Sequence, residues 1–140
     1  MRNRKTMAMI RKLIPAMIGV LAVTAMPASA QRGTPEQQLE RALRDRVAGE
    51  PVDCINLRSV RSSRIINGTA ILFDAGGTIY VNRPRSGASS LSNWDTQVVR
   101  PFNSQLCQVD TIRMVDPASG FYRGTVFLGE FVPYRRAGRN

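Results

Sequence analysis

From Cys54 onward the chain alternates apolar and polar residues with a period of two, and glycine-bearing turns cut the alternation into short runs. That pattern commits the chain to strands, because only a pleated strand sends successive side chains to opposite faces. Runs at 60–66 and 69–74 flank Asn67-Gly68, the strongest short hairpin signal, whose two central positions both need positive φ. Ala75-Gly76-Gly77 supplies the next turn and leads into Thr78-Ile79-Tyr80-Val81-Asn82. A two-residue turn at Ala75-Gly76 or at Gly76-Gly77 places Leu72 on the same face as Ile79 and Val81. With Ile65 opposite Ala70, the three strands form an antiparallel meander with one apolar face of Ile65, Ala70, Leu72, Ile79 and Val81. The other face carries Ile66, Ile71, Phe73 and Tyr80 and is expected to be partly covered.

Ahead of the strands, the sequence predicts a helix within residues 31–49. Thr34 caps it, Pro35 takes the first helical position and Gln37 completes a capping box. Leu39, Ala42, Leu43 and Val47 share one face, and Gly49 followed by Glu50-Pro51 ends the helix. The stripe is short, which suits packing at the edge of the domain. Beyond the meander, residues 83–97 break the alternation with Pro84, Gly87 and several serines, and read as a long polar loop holding Leu91 and Trp94. Strand character returns at Val98-Val99, at 109–115 and at 121–132, with Gly124 and Gly129 as bend points and Pro133 limiting the last strand. The expected fold is mainly β (α+β): a helix, then a small antiparallel β-sheet or barrel-like domain over 50–134, and a basic, disordered tail over 135–140.

The first 30 residues read differently from the rest. Arg2, Arg4, Lys5, Arg11 and Lys12 form a basic end without acids, an apolar run follows at 13–26, and Pro27-Ala28-Ser29-Ala30 supplies the small residues a signal peptidase reads. The apolar run is shorter than the roughly 20 residues a membrane-spanning helix needs. Residues 1–30 are therefore expected to be a cleavable signal peptide, cut between Ala30 and Gln31 with Ala28 at the other small position. The mature chain then has no membrane span and works in the periplasm or outside the cell. Losing the signal takes five basic residues from 20, leaving 15 against 10 acids, and the excess falls from +10 to +5. Both lysines leave as well, so every remaining base is arginine.

Export also fixes the redox setting. Two cysteines, Cys54 and Cys107, in an oxidising compartment are expected to form a structural disulfide. Closing a loop of roughly 54 residues stabilises the fold by about 4 kcal/mol in the chain-entropy picture. A reactive thiol is not supported, since there is no C-x-x-C spacing and no histidine.

The absence of histidine removes the Ser-His and Cys-His pairs, His-based metal sites and the usual neutral-pH base. Catalysis would fall to carboxylates such as Asp53, Asp74, Asp95, Asp110 and Asp116, each isolated in sequence beside a turn or strand end. No catalytic residue, metal site or cofactor is expected. Asn67-Gly68-Thr69 matches the glycosylation triplet but sits in a tight hairpin. Two features suit binding instead. Trp94 stands in the long loop with Arg83 and Arg85 near its start, although folding back over the core is the plainer role for that tryptophan. Further arginines at 58, 61, 64, 135, 136 and 139 suit an anionic envelope component or another periplasmic protein. Nucleic acid is not expected, because aromatics are few and no binding motif is present.

Ala48-Gly49-Glu50-Pro51-Val52-Asp53-Cys54-Ile55, Ile79-Tyr80-Val81-Asn82-Arg83, Gln105-Leu106-Cys107, Val109-Asp110-Thr111-Ile112-Arg113 and Leu128-Gly129-Glu130-Phe131 stand in this order. Together they resemble a family of small, exported Gram-negative bacterial proteins classed as a domain of unknown function, over roughly residues 48–134. Many members of that family carry one more cysteine in the loop and another before the Leu-Gly-x-Phe segment. This chain lacks both, so the resemblance also implies that Cys54 pairs with Cys107. It implies no activity or ligand. The sequence reading is an exported, non-catalytic binding or accessory module. The alternatives are a carboxylate-based hydrolase of a cell-envelope polymer and a small secreted enzyme inhibitor.

Overall fold

The structure, a computed structural model, describes residues 33–138; the expected signal segment and its cleavage site lie outside them. One helix and ten strands follow one another: α1 (Pro35–Ala42), β1 (Arg46–Ala48), β2 (Cys54–Asn56), β3 (Ser62–Ile66), β4 (Ala70–Asp74), β5 (Thr78–Asn82), β6 (Thr96–Val99), β7 (Gln105–Cys107), β8 (Thr111–Val115), β9 (Tyr122–Phe127) and β10 (Phe131–Arg136). The molecule is mainly β, and every strand pair is antiparallel.

The helix opens as its sequence dictates. Thr34 Oγ1 accepts from Gln37 N, and the Gln37 side chain accepts from Thr34 N in return. Its end is earlier than expected. Leu43 is the C-cap, Asp45 takes a left-handed φ of 62°, and Arg46–Ala48 leave as a strand beside β10. Aspartate is among the few side chains that tolerate that conformation. Val47 is therefore not on the helix stripe but lies in β1, largely exposed. The ladder with β10 gives these residues hydrogen bonds that a longer helix, burying only Leu39, could not better.

The same ladder corrects the other end of the chain. Pro133 does not end β10, and Arg135 and Arg136 belong to the sheet instead of a disordered tail. The Pro133 carbonyl accepts from Gly49 N at 2.7 Å. In an extended residue N and O face the same edge, so the missing N–H points where β1 has already stopped and β5 loses no bond. The strand character expected over 121–132 is realised as two strands, β9 and β10, parted by Leu128-Gly129-Glu130 at the expected Gly129 bend.

Three sheets result, ordered β1-β10-β5-β4-β3, β6-β8-β9 and β2-β7. In the large sheet, the Gly76-Gly77 turn is the expected two-residue turn: Gly76 has φ 82°, Ala75 N donates to Thr78 O, and Leu72 pairs with Val81. The first hairpin differs by one residue. Thr69 N closes the turn onto Ile66 O, Gly68 alone has positive φ, and Ile66, not Ile65, faces Ala70. A slip of one exchanges the two faces of a strand. Ile66, Ala70, Leu72, Ile79 and Val81 thus form one face, covered by Leu39, Ala42 and Leu43 of the helix end and by Tyr134. Ile65, Ile71 and Phe73 form the other, packed with Phe131 against Leu106, Ile112, Met114 and Val126. The Phe73 and Phe131 rings meet edge to face at 5.8 Å. The helix therefore roofs one face of the large sheet, and the main core lies on the opposite face. Cys54 and Cys107, directly opposed on β2 and β7, are joined by the expected disulfide.

Candidate functional site

The long loop leaves β5 from a fully buried polar residue, Asn82. Its amide donates to Gly129 O at 2.6 Å and accepts from Gly129 N at 3.2 Å, pairing with that backbone as a strand neighbour would. Arg83 then forks onto Glu36 of the helix, with Nη1 to Oε1 at 3.0 Å and Nη2 to Oε2 at 2.8 Å. Arg85 donates from Nε to Leu128 O and from Nη2 to Gln108 O, at 2.7 and 3.0 Å. Around it, Arg85 N donates to Phe127 O, and Phe127 N donates to Ser86 O. Both candidate arginines therefore hold the loop to the body, and neither lines the cleft that contains Trp94.

Gly87 lies in the left-handed region at φ 75°, packed so close to the Thr125 carbonyl that a Cβ would collide with it. The short 3-10 turn Ala88–Ser90 follows, and Leu91 enters the core. Leu91 O accepts from Gly68 N, and Asn67 Oδ1 accepts from Asn93 N, so the β3–β4 turn grips the loop from below. Leu91 is the residue that covers the core here. Trp94 does not fold back: it is 76% exposed, with its backbone N–H donating to Ser92 Oγ.

Beside the indole lies a cleft of about 590 Å³ lined by Asp95, Asp116 and Arg123 as well as Trp94, with hydroxyls from Ser89, Ser90 and Ser92. Arg123 reaches it through a bulge. Met114 pairs with Gly124 and Val115 with Tyr122, which leaves Arg123 outside the ladder and re-aims its side chain. Its Nη2 donates to Asp116 Oδ2 at 2.9 Å, and its Nε stands 3.8 Å from Asp95 Oδ1.

The two carboxylates differ. Asp116 Oδ1 accepts from both Ala118 N and Ser119 N, each at 2.9 Å. Those two N–H donors, Ser119 first, with the Ser119 hydroxyl and Arg123 adding to them, pull its carboxyl down to about 2. The Asp95 side chain is only 10% exposed, yet among the described residues no group donates a hydrogen bond to its carboxylate. Arg123 Nε at 3.8 Å is its only ionic neighbour there, too long for a hydrogen bond.

The remaining aspartates named from sequence serve turns and strand ends. Asp53 Oδ1 accepts from Gln108 Nε2, Asp74 Oδ1 from Gly76 N, and Asp110 Oδ2 from Cys107 N. Among the described residues no cluster of acidic or cysteine side chains is placed to hold a metal ion, and no helix is long and apolar enough to cross a membrane. Of the residues lining the cleft, sequence reasoning singled out Trp94, placed Asp116 in the turn it does hold, and passed over Arg123 altogether. The one visible hint was Gly124, whose bend is the bulge that delivers Arg123. No family model, curated protein or solved structure matches the chain.

Proposed function

We propose that this chain is the precursor of an exported, disulfide-stapled β module that acts by binding, in the periplasm or outside the cell, with the Trp94 cleft as its contact surface. The observation that carries this is Trp94 itself, a large aromatic held outward by a loop whose backbone is anchored before it at Asn93 and after it by the pairing of Thr96 with Val115. Exposed tryptophans of that kind anchor interfaces and ligands. The signal-like sequence of residues 1–30, the resemblance to an exported family and the disulfide support the location.

The hydrolase alternative draws on one observation, the meeting of Asp95 and Asp116 at a single guanidinium. Carboxylate-pair hydrolysis needs one carboxyl kept protonated as the general acid. Asp116, held at about 2, could serve only as the ionised partner, and both its oxygens are already engaged, Oδ1 by the N–H groups of Ala118 and Ser119 and Oδ2 by Arg123. Binding is the better reading.

The test is crosslinking of the tagged mature protein in its compartment, followed by identification of what is captured. Trp94→Ala should leave stability within about 0.5 kcal/mol, as exposed substitutions do, and lose the captured partner. A partner retained in full by that variant overturns the cleft as the contact surface.

A further inference from the structure

We infer that the Trp94 cleft takes a saccharide, with one sugar ring stacked on the indole and its hydroxyls bonded to Asp95 and Arg123. The inference rests on the reading of this cleft as the binding surface and adds the ligand's chemistry.

Asp95 is the starting point. Its carboxylate is nine-tenths buried and receives no hydrogen bond from the described residues, so a ligand that displaces solvent from the cleft leaves it unsatisfied unless the ligand donates to it. Its oxygens face the cleft, since no polar side-chain atom of the described residues is both fully buried and unpartnered. The ligand must therefore bring hydrogen-bond donors. Arg123, within 3.8 Å, offers donors of its own, so the pair presents an acceptor and a donor side by side. Vicinal hydroxyls, each able to donate and accept, match that arrangement. The Ser89 and Ser92 hydroxyls extend the polar lining. Trp94 adds a flat apolar face for the C–H face of a sugar ring.

Other ligand classes fit less well. Two carboxylates against one guanidinium leave the cleft negative, which disfavours an anion. A purely apolar ligand would strand Asp95 without a donor. A cationic peptide would be repelled at long range by a mature chain whose 15 basic residues outnumber its 10 acids.

Because the chain has one tryptophan, its selectively excited tryptophan emission reports on this cleft alone. The experiment titrates the mature protein with neutral tetrasaccharides of glucose, galactose and N-acetylglucosamine, and with hexalysine as the cationic arm. A saturable change with at least one saccharide is expected, weakened about tenfold in Asp95→Asn, the equivalent of one charged hydrogen bond. By calorimetry, Trp94→Phe should keep weaker binding and Trp94→Ala none. Thermal melts of each variant show that the fold is kept.

Saccharide binding that is indifferent to Asp95→Asn overturns the geometry. Emission unmoved by any saccharide at tens of millimolar, or moved by hexalysine alone, overturns the saccharide class. If Trp94→Ala then still loses the crosslinked partner, the cleft reading survives. If that partner is also retained, both readings fall together.

Discussion

The loop after β5 divides into two halves of opposite use. In the first, Arg83, Arg85 and the backbone around Ser86 bond to the helix, to β9 and to the Leu128 segment. In the second, only the backbone is anchored, and the side chains of Trp94 and Asp95 keep faces without a protein partner. The difference shows how a small β domain can hold a large aromatic outward. It stitches down one stretch of a loop so that the next stretch can present a large aromatic at a fixed position. Charged residues were the more conspicuous candidates, yet here they serve as the stitching.

The largest way to break this contrast is at Leu91, the core residue between the halves. Leu91→Ala should destabilise by about 3 kcal/mol, as buried leucine truncations do, measured by urea denaturation. It should also free the second half, so that Trp94 fluorescence anisotropy falls under native conditions. Next in size is Arg85→Ala, which removes two charge-assisted bonds to carbonyl oxygens and should cost about 1–2 kcal/mol. Arg85→Lys should recover only part of that, because a single ammonium cannot reproduce the fork. A rescue equal to wild type would show that charge alone holds this half.

The smallest effect is in acid and separates the halves by pH. The Arg83 hydrogen bond holds the Glu36 carboxyl below its ordinary 4.5, and the Ser119 and Ala118 N–H groups hold Asp116 at about 2 against an ordinary 3.8. Both folded values lie below the unfolded ones, so each contribution is fully present above the ordinary value and is lost as pH falls through the folded one. Glu36→Gln should flatten the upper part of the acid limb of stability. Asp116→Asn should flatten the part from pH 3.8 down to about 2. Identical acid limbs in wild type and both variants would remove these two pins from the comparison.

Much of this was readable in the chain. The capping box at Thr34, the Gly76-Gly77 turn, the strand runs and the Cys54–Cys107 pair all follow from local chemistry or from the number of cysteines. Asp53, Asp74 and Asp110 serve turns and strand ends, as their positions beside them suggest. The misreadings have a common origin. Residues 46–48 continue a helical pattern and Arg135-Arg136 look like a tail, but each supplies the other with a ladder partner, a gain that no local window contains. Ile65 and Ile66 exchanged faces because the turn took three residues where Asn67-Gly68 suggests two.

Sequence by itself determined the kind of fold: antiparallel strands from the period of two, one capped helix, one disulfide, and a polar loop that holds the tryptophan. Only the tertiary structure decided which side chains found protein partners and which kept a free face. Arg83 and Arg85 found partners on the helix and on the body of the fold, residues that the sequence holds far from them. Asp95 and Arg123 came together because a bulge in β9 turned one side chain toward a loop 28 positions upstream. Whether a polar group is satisfied depends on what surrounds it in space, and the order of residues does not carry that information.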